Sequence, residues 1–117
     1  MRMRVEQVGP SVILVALDGR LDAAGAAEVT SEMGAVAGTN SGMVVDLGGV
    51  SFVSSIGIRL LLQTAKIVQR QGGRLVLLNP AKDVKQVLDV TGVADLLPVH
   101  NDRNQAILAV AQQSTLR

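Results

Sequence analysis

Val44-Val-Asp-Leu-Gly-Gly-Val-Ser-Phe-Val-Ser-Ser-Ile-Gly-Ile58 runs from a short apolar segment through a glycine pair to two serines at the head of a long amphipathic stretch. The pattern predicts a buried strand, a glycine-containing loop and then a helix. Ser54 and Ser55 stand where a helix needs side-chain oxygens for its first free backbone N–H groups, and Gly57 keeps the first turn uncluttered. A capped helix accounts for this. A serine displayed for modification accounts for it as well, because the positive end of a helix tolerates a phosphate.

The rest of the chain reads as scaffold around that junction. Its 117 residues suit a single domain over 1–117 with a core that needs neither disulfide nor metal. Hydrophobic residues make up 48% and charged residues 18%, which marks a folding sequence, not a disordered one. Aromatics are 1%, Phe52 alone, so the core is aliphatic and surfaces for stacking nucleobases or sugars are missing. A net charge of +1 without a basic run gives no footprint for nucleic acid or for a polybasic membrane patch. The absence of cysteine removes a disulfide framework, thiolate ligands and a cysteine nucleophile together. Apolar runs such as Val12–Leu17 and Leu75–Leu78 are too short for membrane insertion, and no signal peptide is visible, so a soluble cytoplasmic protein is expected.

Arg2 to Val8 alternates, Gly9-Pro10 breaks it, and Val12–Leu17 follows, predicting a hairpin whose first strand is an edge. Asp18-Gly19-Arg20 ends the second strand, and Asp22 is a natural N-cap for a helix over Ala23–Ala37, weakened by Gly25 and Gly34 at roughly 1 kcal/mol each. Met43–Leu47 has the continuous apolar character of a strand covered on both faces. In the helix from about Ser55 to Gln71, Ile58, Leu61, Leu62, Ala65 and Val68 form one stripe, while Leu60 and Ile67 lie off it and add apolar surface. Leu75–Leu78 is the next strand, Asn79-Pro80 starts a third helix, and Thr91-Gly92 ends it. Leu96–Val99 reads as an edge strand because of Pro98, and Asp102 caps a last helix before a flexible tail at about 112–117. The order β-β-α-β-α-β-α-β-α implies an α/β fold with a mixed, mostly parallel five-stranded sheet and four helices.

Chemistry is sparse. Asp18, Asp22 and Asp46 sit at strand ends or loops, so a carboxylate cluster at the carboxyl edge of the sheet is open to them. No histidine or cysteine stands near to complete a hydrolytic triad, and His100, the one histidine, reads as a solvent-facing loop residue. No metal-ligand spacing is present, and Gly48-Gly49 matches neither glycine-rich phosphate-binding pattern. The expectation is no enzyme, no cofactor and no metal. A serine at the helix start is the one position with chemical promise, as a substrate.

Four segments in order, Leu17-x-Gly19-Arg20-Leu21-Asp22, Val45-Asp46-Leu47-x-x-Val50-x-Phe52-Val53-Ser54-Ser55-x-Gly57, Gly73 with Leu75 and Leu77, and Val87-Leu88-x-x-Thr91-Gly92, resemble the STAS domain in its single-domain bacterial form, the anti-sigma factor antagonist. The resemblance spans nearly the whole chain and is strongest at the serine junction. It implies the STAS-like (SpoIIaa-like) fold and a partner switch. In that family the unmodified domain binds an anti-sigma factor that is also a serine/threonine kinase of histidine-kinase-like ATPase fold, which frees the sigma factor. Phosphorylation of the domain's serine breaks the complex, and a serine phosphatase restores it.

The family motif commonly reads Asp-Ser-Ser/Thr-Gly, and its phosphoacceptor falls on Ser55, with Ser54 as second choice. Two departures stand out: the acid of the motif falls on Ser54, and Ile56 precedes Gly57. Asp22 matches the family's acidic residue near the acceptor, so the partner-binding surface implied is Asp22, Ser54, Ser55, Ile56, Gly57, Arg59 and Leu60. The expected protein is a monomer or weak dimer with no nucleic-acid partner and no membrane insertion. Two other readings remain: an unphosphorylated STAS adaptor in a lipid-transport ABC complex or signalling scaffold and, more distantly, a small enzyme.

Overall fold

The computed structural model describes residues 1–114, with side chains to Ala111. In chain order the elements are β1 (Arg2–Gly9), β2 (Val12–Leu21), α1 (Ala23–Ala37), β3 (Gly42–Val53), α2 (Ser55–Arg70), β4 (Arg74–Leu78), α3 (Lys82–Val90), α4 (Val93–Leu96), β5 (Val99–His100) and α5 (Arg103–Ser114). The strands form one sheet in the order β1-β2-β3-β4-β5. β1 is antiparallel to β2, and the remaining pairs are parallel. This is the mixed, mostly parallel five-stranded sheet that the alternation of strands and helices implies. The four expected helices are α1, α2, α3 and α5, and α4 adds a single turn.

Period-two alternation assigns each strand's side chains to one of two layers. Ile13, Val15 and Leu17 of β2, Met43, Val45 and Leu47 of β3, and Leu75 and Leu77 of β4 face the core that holds Met33 of α1, Leu61 and Val68 of α2 and Leu88 of α3. Val12, Leu14, Val44, Val76 and Leu78 face the other way, onto Ala106 and Val110 of α5. Burial on both faces is why Met43–Leu47, Asp46 apart, and Leu75–Leu78 read as apolar runs.

Several boundaries differ from the sequence expectation. β2 continues past Asp18-Gly19 to Leu21, and β3 continues through Gly48-Gly49 to Val53, because the two strands satisfy each other across register shifts instead of turning away. The Asp46 carboxylate accepts the Gly48 N–H at 2.8 Å, and Gly49 lies against the Leu17 carbonyl, an approach that a side chain would crowd. The glycine pair is therefore a bulge in a strand, not a loop. Asn79 adopts φ +54 and does not cap; α3 begins after Ala81. Leu96 closes α4 and is not in a strand, since Gly92 at φ +80 ends α3 and lets buried Val93 start a new turn. Only Val99 and His100 pair with β4, which makes β5 an edge strand and places His100 within it, not in a loop. The expected tail at about 112–117 overlaps the end of α5, and residues 115–117 lie outside the described residues.

Candidate functional site

β2 and β3 end side by side, with Arg20 opposite Phe52 and Leu21 opposite Val53. Each strand then passes through one extended residue into a helix: Asp22 (φ −101, ψ −166) into α1, and Ser54 (φ −99, ψ 174) into α2. Both helix starts are built alike. The Asp22 Oδ1 accepts the Gly25 N–H at 2.9 Å, and the Ser54 Oγ accepts the Gly57 N–H at 3.2 Å. A glycine in each first turn lets the helix settle onto the end of β2. A Cβ on Gly25 would collide with the Arg20 carbonyl oxygen, and one on Gly57 with the Leu21 carbonyl oxygen. The positive ends of two helices thereby meet at one corner of the molecule.

The two serines have separate roles here. Ser54 is half-buried; its hydroxyl also donates to the Leu21 carbonyl at 3.4 Å, and its backbone N–H donates to the same oxygen at 3.0 Å. Ser54 thus ties α2 to β2. Ser55 is exposed, and among the described residues its hydroxyl makes no hydrogen bond. It is an exposed, unbonded hydroxyl at the corner. Ile56, 46% exposed, and exposed Arg59 share its face of the first turn.

Two residues of the expected partner surface fall away from it. Leu60 is only 6% exposed and packs in the core, and Gly57 is buried against Leu21. Helical geometry explains both, since positions 57, 58, 60 and 61 turn toward the sheet while 55, 56 and 59 turn outward. Asp18, Asp22 and Asp46 do not converge: among the described residues no group of three histidine or acidic side chains could hold a metal. Asp46 lies within β3, lining a shallow cleft with Arg4 and Arg103.

Asp22 is half-buried beside this serine turn. The Gly25 amide holds its carboxyl below the usual carboxylate range, partial desolvation opposes that, and the Arg20 guanidinium, with Nε 3.4 Å from Oδ2, reinforces it. The Arg20 guanidinium lies over the Phe52 ring at 4.3 Å from its centroid, and Phe52 is 40% exposed. Arg20 and Phe52 were not among the candidate site residues. Their signal is the matched ending of the two strands, Arg20-Leu21-Asp22 and Phe52-Val53-Ser54, in which an outward residue, a core residue and a cap recur in register.

Comparison with known proteins gives the same architecture. The model of the STAS domain family matches residues 4–106. BtrV of Bordetella bronchiseptica is 29% identical over 110 residues, covering 93% of this chain and 94% of the relative. The anti-sigma F factor antagonist of Lysinibacillus sphaericus is 27% identical over 95 residues, covering 80% of this chain and 81% of the relative. SpoIIAA, an anti-sigma factor antagonist, superposes in its unphosphorylated form with TM-score 0.78 at 22% identity, covering 92% of this chain and 94% of its own. The phosphorylated form of Bacillus SpoIIAA superposes with TM-score 0.70 at 21% identity, covering 91% and 96%.

Proposed function

The chain belongs to the STAS domain family, and from that premise we propose that it is an anti-sigma factor antagonist switched by phosphorylation of Ser55. The observation that carries this reading is the division of labour at the head of α2: the Ser54 hydroxyl is committed to Gly57 and Leu21, whereas the Ser55 hydroxyl is exposed and unbonded. Relatives along most of the chain are named as antagonists, and SpoIIAA is a fold neighbour solved with and without phosphate.

In the unmodified state, Ser55, Ile56, Arg59 and half-buried Asp22 face an anti-sigma factor with serine/threonine kinase activity. That kinase holds ATP. The Ser55 Oγ attacks the γ-phosphorus, the bond to the bridging oxygen breaks, ADP departs and the hydroxyl proton passes to a base on the kinase. The product carries about −1.5 to −2 charges near neutral pH. At a helix N-terminus this charge is stabilised by roughly 0.3–1 kcal/mol, so the domain keeps its fold. The interface does not. A surface fitted to a neutral hydroxyl must now desolvate a dianion next to Asp22, and about 1.4 kcal/mol of penalty weakens the complex tenfold. A serine phosphatase returns the hydroxyl. The protein acts as a cytoplasmic binding module, one STAS domain along 1–117, and as substrate of the kinase instead of a catalyst.

Incubation with the cognate kinase and ATP, followed by mass-spectrometric mapping, tests the assignment. The phosphate is expected on Ser55 and lost in Ser55→Ala. A phosphate on Ser54 or elsewhere in wild type overturns it.

A further inference from the structure

β1 is an outer strand of the sheet, and among the described residues no strand pairs with its far side. The backbone of Arg2 to Val8 likewise makes no hydrogen bond there outside the ladder with β2. Arg2, Arg4, Val5, Glu6 and Gln7 are all exposed. Backbone groups on such an edge form a template for another strand, and the side chains along it decide which strand fits.

The pairing with β2 fixes which way each of these side chains points. Met3, Val5 and Gln7 stand opposite Leu17, Val15 and Ile13, on the side of α1 and α2, while Arg4 and Glu6 stand opposite Ala16 and Leu14, on the side of α5. Val5 is 42% exposed although its neighbour Val15 is fully buried. Arg4 and Glu6 line a cleft of about 320 Å³ at the start of α5. There the Glu6 Oε2 lies 2.7 Å from the Arg103 Nη2, whereas Arg4 takes part in no ion pair among the described residues.

We propose that β1 pairs antiparallel with β1 of a second copy of this chain, about a two-fold axis beside Val5. Such an axis stands perpendicular to the sheet and keeps each face continuous, so it passes beside a residue and sets even positions against even, odd against odd. Beside Arg4 it would oppose Arg4 to itself, beside Glu6 it would oppose Glu6 to itself, and beside Met3 it would oppose Arg2 to Arg4. The irregularity between Gln7 and Gly9 interrupts a pairing centred on Gln7. Beside Val5, each Arg4 meets the Glu6 of the other copy, Val5 meets Val5, and Met3 meets Gln7. Unlike charges directly opposite attract and like charges repel, so the strand is complementary to itself in this register. The unpaired Arg4 then reaches a carboxylate that Arg103 already holds in place. Val15, opposite Val5, precedes Leu21 at the serine corner by six residues, about 20 Å along β2 at roughly 3.3 Å per residue. Antiparallel pairing sends the two serine corners to opposite ends of the joint sheet, and both stay open to a kinase.

Two measurements on the full chain test this. Sedimentation equilibrium of wild type should show a concentration-dependent dimer, and Arg4→Glu or Glu6→Arg alone should weaken it at least about tenfold, because two attractions become repulsions. An equimolar mixture of those two variants should dimerise again, since one strand is then acidic at both positions and the other basic. Ser55→Asp should dimerise like wild type, which separates this contact from the switch. The chain has no cysteine, so Val5→Cys is a single-thiol reporter. Diamide, which takes up the two thiol hydrogens as the disulfide forms, should link it into a covalent dimer. Met3→Cys should stay unlinked, because in this register its two copies lie about 13 Å apart along the strands, beyond the reach of a disulfide. A wild type still monomeric at about 1 mM overturns the proposal. So does a dimer that is indifferent to charge reversal, not rescued by mixing or lost in Ser55→Asp, and so does equal linking of the two thiol variants.

Discussion

At Ser54 one hydroxyl both accepts from the Gly57 amide at 3.2 Å and donates to the Leu21 carbonyl at 3.4 Å, so its removal unpairs a helix-end amide and loosens the tie to β2. Ser54→Ala should cost about 1 kcal/mol in urea unfolding, within the ~0.5–2 kcal/mol range for lost N-caps. Ser55→Ala should stay within about 0.5 kcal/mol of wild type, as for exposed positions without partners. A larger loss at Ser55 than at Ser54 would reverse these roles. Spacing places both serines at the helix start, and it took the orientation of each hydroxyl to separate them; that orientation depends on where the Leu21 carbonyl ends, a tertiary fact.

Asp22 carries a pH signature of known sign. Its folded pKa lies below the unfolded value of about 3.9, so the cap stabilises the protein above that value, and the contribution is lost as pH falls through the folded pKa. Asp22→Asn retains an acceptor for the Gly25 amide but cannot titrate. Unfolding measured over a series of acidic pH values should therefore show a shallower decline in the variant below about pH 4. Parallel declines would remove Asp22 from the account.

Among the elements, α1 and α2 have first turns shaped by glycine for reasons that propensity does not reveal. Gly25 and Gly34 look equally weakening along α1, but only Gly25 faces a carbonyl, while a Cβ on Gly34 meets nothing within 4 Å. Gly34→Ala should stabilise the protein by about 1 kcal/mol, the ordinary helix-propensity gain. Gly25→Ala and Gly57→Ala should instead destabilise it, because backbone at Arg20 or Leu21 must move. Thermal unfolding of the three variants decides this, and equal gains at all three would contradict the packing. The strand ends posed the same difficulty. Asp18-Gly19 and Gly48-Gly49 carry turn composition, and only their pairing with each other converts them to bulged strand. Gly92 hid α4 in a similar way, since a left-handed residue can end one helix and begin another.

For the molecule as a whole, the two-sided burial of β3 was legible because Met43–Leu47 has no polar alternation except Asp46, and the two cores divide those residues as a period of two requires. The candidate corner was legible in its residue types but not in its burial: spacing alone sets Leu60 beside the stripe of Ile58, Leu61, Leu62, Ala65 and Val68, yet it is only 6% exposed and belongs to the main core, where α1 packs against α2. Under the proposed switch, the exposed Ser55 hydroxyl at the edge of the fold takes a phosphate without moving the cores, which leaves the change in binding as the only output.

The most direct measurement is calorimetric titration of the cognate anti-sigma kinase into wild type, Ser55→Ala and Ser55→Asp, each first shown folded by its amide spectrum. Ser55→Ala should bind within about threefold of wild type, and Ser55→Asp at least about a hundredfold more weakly, equivalent to about 2.8 kcal/mol at the interface. Binding of Ser55→Asp as tight as that of wild type would contradict the account.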